Sequence, residues 1–174
     1  MPLGKHDLKL THDGFFDYKT ALDMRTNTPY ESTIKMETSK VGQYINRAKE
    51  LRRIGQSQQA VGELVEGLKL GASPKEKNEI HWLLGELSID IKDYAQAKTY
   101  FTQARQSGDF KYQGTLGLAK VSFYTGDTSQ CLKLLVEALI NLPESDPLSR
   151  EARSLFSQIS PFESVVYIST EPAG

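Results

Sequence analysis

The sequence predicts an all-α fold: a solenoid of three helix–turn–helix repeats closed by a C-terminal capping helix. Two observations carry this. Leu84, Gly85, Ala97, Phe101 and Ala104 recur 34 residues later as Leu118, Ala119, Cys131, Leu135 and Ala138, with the size class kept at every step. A fixed period of that length, with small residues at set places, is the mark of stacked helix pairs. Beyond the last pair, Leu148, Ala152, Leu155, Phe156 and Ile159 form one apolar stripe on an otherwise polar helix. One apolar face and one wet face is what the open end of an array requires.

Residues 1–40 read as a leader. Residues 1–28 show no clear period and hold an aromatic knot at Phe15-Phe16-Asp17-Tyr18. Thr28-Pro29-Tyr30-Glu31 has the form of a helix start, with Thr as cap, Pro at the first helical position and Glu completing a capping box. The short helix expected there runs to about Lys40 or merges with the next, and Gly42 is the expected break.

The first repeat, about residues 41–74, carries Tyr44, Ala48 and Leu51 on one helix face and Ala60, Leu64 and Leu68 on the next. Gly55 ends its first helix by supplying a left-handed residue. Ala60 to Ala97 is 37 residues, so three extra residues fall in the stretch 71–78, where Gly71 and Pro74 predict a turn. The second repeat, about 75–108, turns at Lys92-Asp93-Tyr94. The third, about 109–143, turns at Gly126-Asp127 and stops at Pro143. Asp146-Pro147 then opens the capping helix over 146–160. Residues 161–174 read as an extended or flexible tail, with Val165-Val166-Tyr167-Ile168 favouring β geometry.

Composition narrows the function. There are 21 Lys+Arg against 22 Asp+Glu, net −1, so no basic excess asks for nucleic acid. No apolar run approaches the ~20 residues that span a bilayer, and the first residues carry no apolar core of a secretory signal. A lone cysteine, Cys131, has no internal disulfide partner and fits a reducing compartment. A cytoplasmic protein without direct membrane insertion is expected.

These residues resemble the tetratricopeptide repeat family. The best match is Leu84-Gly85, then Ala97, Phe101 and Ala104, with the Lys92-Asp93-Tyr94 turn between. The third repeat matches through Leu118-Ala119, Gly126-Asp127, Cys131, Leu135, Ala138 and Pro143, and the first is degenerate. The resemblance covers about residues 41–143. His81 stands where the family usually has tryptophan, with Trp82 one residue late, and Ser88 and Ser122 replace a common tyrosine. The resemblance implies a curved array whose first helices line a concave groove. That groove would be formed by Ile45, Lys49 and Arg52 from repeat one, Trp82, Glu86 and Ile89 from repeat two, and Leu116, Lys120 and Phe123 from repeat three.

An apolar strip flanked by charge suits an amphipathic or extended peptide. The expected function is therefore a non-catalytic adaptor or scaffold that binds a partner protein or peptide in this groove. One alternative is a structural subunit of a larger complex that uses its outer face and termini, with Phe15, Phe16, Tyr18, Val165 and Tyr167 as contact arms. A second is a small chaperone of the bacterial secretion type, which the layout resembles in architecture only. Family members that clamp a C-terminal carboxylate do so with polar groups, and Ile45, Leu83 and Leu116 stand where several of those would be expected. Self-occupancy of the groove by either terminus is a further reading.

No catalytic, cofactor or metal site is expected. His6 and His12 lie in a polar leader beside Asp7 and Asp13, for which surface polarity is the plainer reading. Cys131 takes a small helix-packing position, where an inert thiol is expected. No nucleophile elbow, P-loop or dinucleotide fingerprint occurs.

Overall fold

The computed structural model describes residues 4–10, 18–24 and 39–159. Among these are two strands and seven helices: β1 (Gly4–Leu10), β2 (Tyr18–Met24), α1 (Lys40–Arg53), α2 (Ser57–Lys69), α3 (Pro74–Asp90), α4 (Tyr94–Arg105), α5 (Lys111–Tyr124), α6 (Thr128–Asn141) and α7 (Pro147–Ile159). The protein is thus mostly helical. The chain divides into two compact units, Met1–Glu76 and Lys77–Gly174, where the sequence suggested one continuous array.

The leader departs from expectation. β1 and β2 pair antiparallel, His6 opposite Leu22 and Leu10 opposite Tyr18, so the described part of the leader is a hairpin. Along β1, Lys5, Asp7 and Lys9 are exposed and His6, Leu8 and Leu10 half-buried, the period of two that a strand imposes. The helix start expected at Thr28, the aromatic knot residues Phe15 and Phe16, and the tail residues Val165 and Tyr167 lie outside the described residues. Tyr18 is the first residue of β2.

α1 begins after Ser39, whose hydroxyl accepts from the Gly42 backbone N–H at 2.8 Å. Gly42 is therefore inside the helix and buried, not the break its identity suggested, because the cap three residues earlier fixes the start. Val41, Ile45 and Ala48 of α1 and Ala60 and Leu64 of α2 are buried.

The expected insertion turn is shorter than predicted. Ser73 and Glu76 form a reciprocal capping box: Ser73 N donates to Glu76 Oε2 at 2.9 Å and Glu76 N to Ser73 Oγ at 3.3 Å. Pro74 takes the first helical position, so residues 74–78 belong to α3.

Three helix pairs share one turn. Gly55, Lys92 and Gly126 all have positive φ, at 79°, 63° and 81°. The following residue in each case bonds back across the helix end, Gln56 N to Leu51 O at 2.8 Å, Asp93 N to Ser88 O at 2.8 Å and Asp127 N to Ser122 O at 2.9 Å. These are Schellman closures. Asp93 and Asp127 then cap α4 and α6 by accepting from Gln96 N and Gln130 N, each at 3.0 Å.

In the second unit, α4 carries Phe101, fully buried, between two glycines. A Cβ at Gly85 of α3 would lie 2.6 Å from Phe101 Cε1, and one at Gly117 of α5 would meet the same ring. The small residues are there because this ring fills the space between three helices. A second cluster joins Leu116 and Ala119 of α5, Cys131, Leu134 and Leu135 of α6, and Ala152 and Leu155 of α7. The stripe expected on the capping helix is the face that closes it, with Leu148, Phe156 and Ile159 packed at its border. Ser149, also buried, donates to the Pro143 carbonyl at 2.8 Å, which ties the start of α7 to the end of α6.

Candidate interaction surface

The nine residues expected to form a groove divide between the two units. In the first unit, Lys49 is exposed and Arg52 half-buried on α1, while Ile45 is only 2% exposed. In the second unit Leu116 is likewise 2% exposed, within the α5–α6–α7 cluster. Ile45 and Leu116 are therefore core residues, a correction to their expected place on a binding surface. The reason at Leu116 is that α5 packs against α4, α6 and α7, which leaves little of its circumference for a partner.

The polar members of the row engage one another. Lys120 Nζ of α5 lies 2.9 Å from Glu86 Oε1 of α3 and 2.6 Å from Glu151 Oε1 of α7. Burial opposes the charge on Lys120, but the two carboxylates outweigh it and hold the ammonium above its ordinary range. Trp82 and Ile89 are half-buried against the cluster of Ala97, Phe101 and Val121. The Trp82 ring also meets Phe110 at 6.1 Å. Phe123 borders the α5–α6–α7 cluster and stands edge-on to Tyr124 at 5.5 Å. What was expected to face a partner on α3 and α5 is largely used for internal packing and pairing.

A different surface is open. A notch of about 550 Å³ lies between α4, α5 and α6. Tyr94, Lys98 and Thr102, at successive turns of α4, form one wall, and Gln130 and Leu134 of α6 form the other. Leu118, Val121 and Ser122 of α5, with Thr125 just beyond its end, make the floor. One turn beyond Thr102 and Leu134, Arg105 Nη2 donates to both carboxylate oxygens of Glu137, at 2.8 and 2.7 Å. This bond joins α4 to α6 and closes that end. At the other end Tyr94 stacks on Tyr124, centroids 5.6 Å apart and planes 13° apart, with Tyr124 52% exposed. The floor is apolar at Leu118 and Val121 and hydroxylic at Ser122 and Thr125, and the rest of the lining offers hydroxyl, amide and ammonium groups and the Asp127 carboxylate. That is the mixture that holds an extended or helical segment by contact below and hydrogen bonds at the sides.

The sequence reading missed Tyr94, Lys98, Thr102 and Tyr124 as surface residues. The signal was present: Tyr94, Lys98 and Thr102 are spaced i, i+4, i+8 on the face of α4 beside the Ala97–Phe101–Ala104 core stripe.

Elsewhere the chemistry is quiet. His81 stacks on Tyr100 at 6.4 Å, and burial together with the charge of Lys77 depresses its pKa. Burial, aided by Asp127, raises the Cys131 thiol. Among the described residues no group of three or more His, Cys, Asp or Glu side chains could hold a metal ion, and no helix is long and apolar enough to cross a membrane. No family model, curated protein or solved structure matches the chain.

Proposed function

We propose that the chain is a non-catalytic protein–protein interaction module of the tetratricopeptide type, a cytoplasmic scaffold subunit that docks a partner protein in the α4–α5–α6 notch. The observation that carries this reading is the contrast between two faces of the second unit. On the α3–α5 face, Glu86, Lys120 and Glu151 satisfy one another and Leu116 is buried. On the α4–α6 face, a floor of mixed apolar and hydroxyl groups, Leu118 and Val121 with Ser122 and Thr125, stands open beside an exposed tyrosine. This favours the structural-subunit alternative over an adaptor whose groove waits for a peptide. The repeat assignment rests on the 34-residue echo and on the common Schellman turn at Gly55, Lys92 and Gly126.

The test is affinity capture from a native extract with three versions of the chain, followed by mass spectrometry. Wild type and Lys49→Glu should retain the same protein, and Tyr124→Asp should lose it. Capture that survives Tyr124→Asp and fails with Lys49→Glu would return the function to the face first expected.

A further inference from the structure

The hairpin has an edge that matches itself. Among the described residues the sheet consists of β1 and β2, so each strand has one side of its backbone outside the ladder. A lone two-stranded hairpin is marginal in water, and a wider sheet is more stable. Strand edges are also where a sheet recruits another chain.

Geometry restricts how a second copy adds to an edge. Along a strand, the N–H and C=O groups of alternate residues point outward, and side chains alternate between the two faces in step. Two copies related by a two-fold axis normal to the sheet pair antiparallel. Outward groups then meet outward groups only when the two residue numbers in a pair are both odd or both even. The same condition keeps the exposed face of one copy beside that of the other.

Charge selects among the permitted registers. The exposed face carries Lys5, Asp7 and Lys9 on β1 and Lys19, Ala21 and Asp23 on β2. On the β2 edge, the register centred on Ala21 pairs every residue of the strand. It sets Lys19 opposite the partner's Asp23, and Asp23 opposite the partner's Lys19. Shifted registers of β2 pair only residues 18–22 or 20–24 and leave Lys19 or Asp23 opposite alanine. On the β1 edge, the register that pairs the whole strand sets Lys5 against the partner's Lys9 and Asp7 against the partner's Asp7. Like charges directly opposite are destabilising. Shifted registers of β1 match the charges but pair only residues 4–8 or 6–10. Within the hairpin, Lys19 already faces Lys9, a like pair, while Asp23 faces Lys5. Pairing through β2 puts the partner's Asp23 on the other side of Lys19, which offsets that repulsion.

We infer that a second copy of the chain docks on β2, edge to edge about Ala21. The product is a four-stranded sheet in the order β1, β2, the partner's β2, the partner's β1. This interface is independent of the notch.

Sedimentation velocity on the full chain, from about 1 μM to 1 mM, should show a monomer converting to a dimer of twice 19.5 kDa. Lys19→Glu sets two carboxylates against each other in both symmetric pairs, and Asp23→Lys sets two ammonium groups. Each alone should raise the dimer Kd at least about tenfold. An equimolar mixture of the two variants should regain the dimer, because every charged pair in the mixed dimer is then opposite in sign. A variant that had failed to fold would not be rescued in this way. Ala21→Cys should be joined to its own copy by dibromobimane, since directly paired residues hold their Cβ atoms about 5 Å apart. Asp7→Cys should not, because its copies lie about 14 Å apart across three strand spacings of ~4.8 Å. Cys131 is buried and supplies no background.

A chain that stays monomeric over the whole range overturns the inference. So does a dimer that both charge reversals leave unmoved, or a mixture that remains monomeric, since either places the contact elsewhere. Cross-linking through Asp7→Cys in place of Ala21→Cys overturns it in favour of the β1 edge.

Discussion

At the scale of single residues, the three turns invite comparison because each contains a different compromise. The turn residue after α1 and α5 is glycine, but after α3 it is Lys92 at φ 63°. A residue with a Cβ pays roughly 1–2 kcal/mol to sit there. The next residue is Asp in two turns, where it caps the following helix, and Gln56 in the other, where no side-chain cap forms. Importing the better residue should therefore help in both places. Lys92→Gly should raise stability by up to about 1 kcal/mol after the added flexibility of the unfolded chain is subtracted. Gln56→Asp should add about 1 kcal/mol through the missing cap. Urea titration checks both, and a midpoint that stays put or falls for Lys92→Gly would mean the Lys92 side chain supplies contacts that outweigh its backbone. The spacing between Gly55, Lys92 and Gly126 equals that of the repeats, so the turn positions were legible. The left-handed backbone at Lys92 was not, since only glycine announces such a conformation by its identity.

At the scale of elements, the capping helix is held by two different forces. Ala152 and Leu155 are buried in the cluster with α5 and α6, and Glu151 reaches Lys120 at the cluster's edge. Removing Lys120 takes away the ammonium that Glu86, 8% exposed, meets at 2.9 Å. Lys120→Ala should therefore cost about 2–3 kcal/mol. Glu151 is nearly half exposed, so Glu151→Ala should cost under about 1 kcal/mol. The pH dependence follows from the direction of the Lys120 shift. A raised pKa in the folded state means this contribution is complete below the ordinary lysine value, about 10.4, and is lost as pH rises through the folded value. Thermal melts of wild type should decline above about pH 10.4 more steeply than those of Lys120→Met; parallel curves would show that the triad adds nothing. The stripe on α7 and the small positions around Phe101 were readable as periodic spacing. The Glu86–Lys120–Glu151 pairing was not, because its members come from three helices, and a sequence shows which residues share one helix face but not which charges meet across helices. The hairpin escaped for a related reason. Only Lys5 to Leu10 alternates clearly, and the seven residues between the strands are not a short hairpin turn that would flag the pair.

At the scale of the whole molecule, two compact units raise the question of how many transitions unfolding has. Among the described residues, the second unit holds two apolar clusters, around Phe101 and Leu135. The helical core of the first is smaller, with Ile45 and Leu64 its only large, fully buried side chains among the described residues. Less apolar surface buried means less stabilisation, so the first unit should unfold at lower denaturant. The chain carries its own reporter for this. Trp82 is the single tryptophan, it lies in the second unit, and its ring packs on Phe110 of the same unit. Its fluorescence therefore follows one unit, whereas helical circular dichroism follows both, with somewhat over a quarter of the described helical residues in α1 and α2. In a urea titration the dichroism should begin to fall first, lose about a quarter of its amplitude, and then follow the fluorescence to a common end. Coincident curves are the hallmark of a single cooperative step, and finding them would mean the two units fold as one despite their separate cores. Under the repeat reading proposed above, neighbours couple through their interfaces, and the gap between the two midpoints then measures how strongly the first helix pair is coupled to the rest.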